Sequence, residues 1–196
     1  MTENKKLSVA RLMACQALCM YYDENNSNKN IDDILESINE YFIKKEFVDK
    51  DNNNDYDQIF KDEFVHNLIN GVINNSKEFD ELINKFLQKQ NTTETIEDIL
   101  LQSFRLAIYE LKYTNTDKNL IVNEYVDIVS EFYDGVYISF SNGIIDNIAL
   151  NIREGKLPPE IEKKENKNIS NVIVVNKKHK REIIKLNSKI LNNKNE

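Results

Sequence analysis

The stretch from Ile96 to Ile148 restricts the fold more than any other part of the chain. Its first segment is Phe104-Arg105-Leu106-Ala107-Ile108-Tyr109-Glu110-Leu111. Leu100, Phe104, Ile108 and Leu111 stand three or four residues apart, so on a helix they share one face. Ile99, Leu106 and Ala107 carry apolar surface away from that line. A helix that is apolar around most of its circumference belongs at the centre of a bundle, with other helices packed about it. Arg105 is the exception. An unpaired guanidinium is too costly to bury, so Arg105 must reach water or find a carboxylate or carbonyl partner.

The same periodicity recurs along the chain and predicts helices over residues 7–22, 31–47, 56–75, 76–90, 96–113, 117–132 and 136–152. Thr92 to Thr95 are expected to cap the helix that follows them, with Glu94, Glu97 and Asp98 at its positive end. Only four glycines and two prolines are present, the scarcity expected of long helices joined by short polar turns. Asp134-Gly135 is one such turn. Gly71 and Gly143 fall inside helical patterns, where glycine costs about 1 kcal/mol relative to alanine. Close approach of a neighbouring helix is the expected compensation at both. Asn142 and Asp146 lie four residues apart and are expected to bond Asn123, Glu124 or Arg105 between helices.

Charge divides the chain. Residues 163–196 hold ten Lys or Arg and three Glu, a net +7, whereas residues 1–162 hold 16 basic and 30 acidic residues, a net −14. A body this acidic is a poor nonspecific ligand for nucleic acid, so any such contact must come from a local patch or the basic tail. The N-terminus runs directly into an amphipathic helix, and no apolar run approaches the ~18 residues of a membrane span, which predicts a cytoplasmic protein. Cys15 and Cys19, one helical turn apart, read as small buried or half-buried thiols, and no metal or cofactor is expected. Asp49, Asp51, Asp55 and Asp57 lack the glycine and terminal glutamate of a calcium loop and read as a solvated loop. The chain has no phosphate-binding glycine loop, no nucleophile elbow and no His/carboxylate pair at useful spacing, so it is not expected to be an enzyme. The 29 asparagines reflect base composition more simply than chemistry.

Three segments, in order, carry a resemblance: Phe104–Leu111, then Val122-Asn123-Glu124, then Phe140-Ser141-Asn142-Gly143-Ile144-Ile145-Asp146. They resemble the NusB family of transcription antitermination factors. The likeness extends to Ala10-Arg11, Gln16-Ala17-Leu18 and Asn70-Gly71-Val72, and covers roughly residues 7 to 152. It implies an all-α bundle of about seven helices, with an N-terminal three-helix half and a C-terminal four-helix half packed together over residues 1–157. Residues 158–196 would be a flexible basic extension.

The resemblance also implies a function. A protein of this kind binds the boxA element of nascent ribosomal RNA together with NusE, a small-subunit ribosomal protein, and joins the RNA polymerase elongation complex. Lys5, Lys6 and Arg11 are then the candidates for phosphate contact, with Tyr22 and Phe140 as stacking candidates. Tyr109 and Glu110 would border the partner surface, and Lys177, Lys178, Lys180 and Arg181 could form a flexible RNA-binding arm. The sequence departs from the family pattern where arginines are expected near Leu7, Ser8 and Val9. The alternative is therefore a NusB-derived helical scaffold that binds protein and has lost specific RNA binding. A NusB-like domain also precedes the catalytic domain of ribosomal RNA cytosine methyltransferases, but this chain shows no glycine-rich cofactor loop.

Overall fold

The computed structural model describes residues 2–26, 30–44, 59, 62–87 and 91–156. Regular structure among them is entirely helical. The helices are α1 (Glu3–Tyr22), α2 (Ile31–Lys44), α3 (Glu63–Phe86), α4 (Asp98–Tyr113), α5 (Lys118–Ser130) and α6 (Val136–Glu154). The all-α expectation holds, with one correction. The separate helices expected over 56–75 and 76–90 are a single helix across the described residues 63–86. The polar run Asn74-Asn75-Ser76 lies at the expected boundary and contains neither Gly nor Pro to break the helix. Two of its side chains fold back onto their own helix: Asn75 Nδ2 donates to the Gly71 carbonyl at 2.7 Å and Ser76 Oγ to that of Ile73 at 3.4 Å. The buried stripe Val65, Leu68, Ile69, Val72, Phe79, Ile83 and Phe86 keeps helical spacing throughout.

The chain forms two compact units, whose described parts run from Thr2 to Ile69 and from Asn70 to Lys156. In the first, α1 packs on α2. From Ala10 to Met20 every residue of α1 is buried except Leu12 and Gln16, which are half-buried. Ala10, Ala14, Cys15, Ala17 and Cys19 are small enough to let neighbouring backbone approach on several sides, and both thiols are free and buried. Ile34, Leu35 and Ile38 form the inner face of α2. Asn30 caps that helix, its side-chain oxygen accepting from the backbone N–H of Asp32 at 2.9 Å. Asn26 is buried and donates to the Met20 carbonyl at 2.9 Å, which ties the connection to the end of α1. The loop carrying Asp49, Asp51, Asp55 and Asp57 lies outside the described residues.

In the second unit α4 is central, as its all-round apolar pattern requires. It packs against α5 and α6, which also pack on each other. From Ile99 to Leu111 only Tyr109 is not buried. α5 starts at Asp117, whose carboxylate accepts from the backbone N–H of Asn119 at 2.9 Å and Leu120 at 3.2 Å. α6 ends at Gly155 in the left-handed region (φ 68°), with the Lys156 N–H returning to the Leu150 carbonyl at 3.4 Å. Arg153 in its last turn donates to the carbonyls of Thr114 and Thr116 at 2.9 and 3.1 Å, fixing the α4–α5 connection.

Three local expectations are corrected here. Thr92–Thr95 do not cap α4: Glu97 holds that position, and its side chain makes no capping hydrogen bond to the first turn. The threonines close their own turn, with Thr95 Oγ1 accepting from the Thr92 N–H at 2.8 Å, and Asn84 of α3 accepts from the Thr93 N–H at 3.0 Å. Gly143 has open space where a Cβ would stand, so no neighbouring helix presses on it. Asn142 and Asp146 are exposed on α6 rather than enclosed between helices, because the buried face of α6 is formed by Ser141, Ile144, Ile145, Ile148 and Ala149.

Candidate nucleic-acid and partner interface

In the first unit the candidates lie along α1. Lys5 is exposed and Lys6 half-buried, both in the opening turns, where unpaired backbone N–H groups and the helix dipole favour an anion. Thr2 precedes the helix without a side-chain cap. Glu3 places one negative charge in the same turn. Arg11 is different: it is only 3% exposed, and its guanidinium carbon lies 5.5 Å from the centroid of the Phe64 ring. The candidate phosphate ligand is thus inside the unit, against an aromatic face. Tyr22 is half-buried at the far end of α1, edge-to-face with Tyr21 at 5.2 Å. His66 is partly exposed with Nδ1 3.9 Å from Asp32.

In the second unit Phe140 is half-buried on α6, its ring 6.1 Å from that of the fully buried Phe104. The two rings are tilted by 53°, and Phe140 keeps part of its surface accessible. Tyr109 is half-buried, and burial followed by the neighbouring Tyr113 pushes its hydroxyl pKa up. A Cβ built on Gly71 would lie 1.9 Å from Tyr109 Cε2, so the Tyr109 ring rests directly on the α3 backbone. Of the two mid-helix glycines, only Gly71 reports a close approach.

Glu110 is fully buried and accepts a hydrogen bond from the Tyr125 hydroxyl at 2.6 Å. In this conformation it faces the core rather than a partner, and the expectation that it borders a surface is corrected accordingly. Arg105 finds the carboxylate its position requires. Its Nε and Nη2 donate to the two Asp80 oxygens at 2.8 and 2.7 Å, and Nη1 donates to Gln102 Oε1 at 3.2 Å.

Sequence reading missed one surface feature. Tyr113 is 53% exposed and lies against Tyr109, the ring centroids 5.2 Å apart and the planes tilted by 44°. The Lys112 ammonium lies 5.7 Å from its ring centroid and pairs with Glu78. The four-residue spacing of Tyr109 and Tyr113 was the available signal. Lys177, Lys178, Lys180 and Arg181 lie outside the described residues. Among the described residues no group of three or more His, Cys, Asp or Glu is arranged to hold a metal, and no helix is long and apolar enough to cross a membrane.

Comparison with known proteins meets the same helical framework. The T. maritima NusB structure superposes with a TM-score of 0.53 at 22% identity, over 72% of this chain and 89% of that one. Transcription antitermination protein NusB of Rickettsia akari is 29% identical over 152 residues, which span 76% of this chain and 96% of the relative. The protein of that name from Ligilactobacillus salivarius is 34% identical over 106 residues, 54% of this chain and 77% of the relative. The NusB family model matches residues 8–150, a span that takes in α1 from Ser8 onward, the central α4 and the Phe140–Asp146 segment of α6. The chain therefore belongs to the NusB family.

Proposed function

We propose that this protein is a cytoplasmic transcription antitermination factor. It binds boxA-type single-stranded RNA of nascent ribosomal RNA together with NusE and joins the RNA polymerase elongation complex. The observation that carries this reading is the family match over residues 8–150, which spans the three segments that define the resemblance. The exposed Lys5 and its neighbour Lys6, at the positive end of α1, supply phosphate contacts. Tyr22 and the accessible part of Phe140 offer rings for base stacking. Tyr109, with Tyr113 beside it, contributes to the protein-partner surface. The net charge of −14 over residues 1–162 suits a basic ribosomal protein as that partner.

A second reading has its own observation. Arginines are absent at Leu7, Ser8 and Val9, and Arg11 is buried. A helical scaffold that retains protein contacts and has lost RNA specificity would look this way. The tail is a further source of positive charge: Lys177, Lys178, Lys180 and Arg181 would act as a flexible arm on RNA, consistent with the net +7 of residues 163–196.

Titration calorimetry with purified NusE, followed by addition of boxA RNA or a scrambled control to the complex, separates the readings. The antitermination factor forms the complex and prefers boxA. The scaffold forms the complex and shows no preference. Failure to bind NusE contradicts both. Removing residues 158–196 tests the arm: unchanged RNA affinity and salt dependence would exclude it.

A further inference from the structure

We infer that Arg11 is a positioning residue: it holds the basic start of α1 in place from inside the first unit and does not itself meet phosphate. The inference deepens the RNA-binding reading at one residue, and its first half stands without that reading.

A phosphate contact needs the guanidinium fork at the surface, because the donors must point at the anion from outside. At 3% exposure the Arg11 side chain does not present that fork. Its guanidinium carbon instead stands 5.5 Å from the Phe64 centroid. The chain at Phe64 is tied down in the opening turn of α3, where its backbone N–H donates to Asp62 Oδ1 at 2.8 Å. Around Arg11, Ala10 and Ala14 are 3% and 0% exposed, and their small side chains let α1 lie close to its neighbours. The planar guanidinium is well suited to this place, because it stacks on an aromatic face and is more weakly hydrated than an ammonium.

Lys5 and Lys6 sit in the turns that this contact anchors. Arg11 therefore acts on RNA through the direction of the helix start. The charge that phosphate feels comes from the lysines, and the ring contact determines where those lysines stand.

The test has two readouts on the full-length protein. The first is thermal unfolding followed by circular dichroism for Arg11→Gln, Phe64→Leu and the double variant. Arg11→Gln should lower the melting midpoint by about 4–8 °C. Phe64→Leu should remove much of the same contact, so the two shifts should combine to less than their sum. Strictly additive shifts, or an unchanged midpoint for Arg11→Gln, would overturn the clamp. This readout decides the matter even where the wild-type protein fails to bind RNA, an outcome that sinks the proposed function alone.

The second readout is the dependence of boxA RNA affinity on salt, measured well below the melting midpoint. Losing one phosphate contact from single-stranded RNA reduces the log–log slope by about 0.7. Lys5→Gln should show that reduction with its melting midpoint unchanged. Arg11→Gln should weaken binding with the slope unchanged. Arg11→Lys keeps the charge but loses the stacked plane, so it should behave like Arg11→Gln in both readouts; it carries the test if the glutamine variant does not fold. A slope reduced by about 0.7 in Arg11→Gln at an unaltered melting midpoint would show that Arg11 does touch phosphate.

Discussion

Gly71→Ala should destabilise the protein, although alanine is the better helix former. An added Cβ would stand 1.9 Å from Tyr109 Cε2, 2.4 Å from Cδ2 and 2.6 Å from Cζ. Ordinary contacts lie near 3.5–4 Å, so the ring must move by more than 1 Å or the α3–α4 separation must grow. If Tyr109 swings out, the half-buried ring loses apolar contact of roughly 1 kcal/mol. It also loses its packing on Tyr113, an aromatic pair of about 0.5–1.5 kcal/mol. If the ring stays and the backbones separate, overpacking costs about 1–3 kcal/mol and propagates to neighbouring contacts. Against either route, replacing a mid-helix glycine gains about 1 kcal/mol in helix propensity. The net expectation is a loss of about 0.5–1.5 kcal/mol if the ring swings out and up to about 2 kcal/mol if the backbones separate, or a melting midpoint lower by up to about 8 °C for a chain of this size. Thermal unfolding at 222 nm measures it. Gly143→Ala is the internal control, because nothing lies within 4 Å of the Cβ position there. It should raise the midpoint by the propensity gain alone, about 2–4 °C. Tyr109→Ala should cancel most of the penalty of Gly71→Ala in the double variant. If Gly71→Ala were as stabilising as Gly143→Ala, the close approach at Tyr109 would be refuted.

Three further outcomes follow from individual contacts. Asp80→Asn should cost about 2–4 kcal/mol in urea unfolding, because it leaves the Arg105 guanidinium, 6% exposed, without its bidentate carboxylate; a loss below ~0.5 kcal/mol would contradict a structural role for that pair. Asp117→Ala should cost about 1 kcal/mol by removing the α5 cap, and Asp117→Asn should restore most of it. Hydrogen bonds from Lys118 and then Lys156 hold the Glu154 carboxyl at about 2, below its ordinary 4.5. A depressed carboxyl pKa stabilises the fold fully above the unfolded value, and that contribution disappears as pH falls from about 4.5 through about 2. Titration of Glu154 by NMR should show the low value, and Lys118→Gln should raise it toward the ordinary range.

Much of this architecture is visible in the spacing of apolar residues. The centrality of α4 follows from Ile99–Leu111, and so does the requirement that Arg105 find a partner. The identity of that partner does not, because Asp80 lies on another helix and nothing local marks it among the other acidic residues of α3. The continuity of α3 is not legible through the polar run Asn74-Asn75-Ser76, in which Asn75 and Ser76 bond back to their own helix. Two glycines in equivalent patterns proved different, since only tertiary packing distinguishes a glycine pressed by a tyrosine ring from one facing open space. The candidate site shows the same division. Resemblance selects Arg11 and Glu110, but burial depends on Phe64 and Tyr125, and neither contact can be read from sequence spacing. Lys5 and Tyr113 are exposed, and helix position alone makes that intelligible.

The proposed function requires that this NusB-family chain reads RNA as part of a complex. The most direct measurement is fluorescence anisotropy of a labelled boxA RNA against a scrambled RNA of equal length, with NusE present, at about 50 and 200 mM salt. BoxA should bind at least about tenfold more tightly at both salt concentrations, a difference of about 1.4 kcal/mol that nonspecific charge contact cannot supply. Equal affinities for the two RNAs, falling together as salt rises, would contradict it.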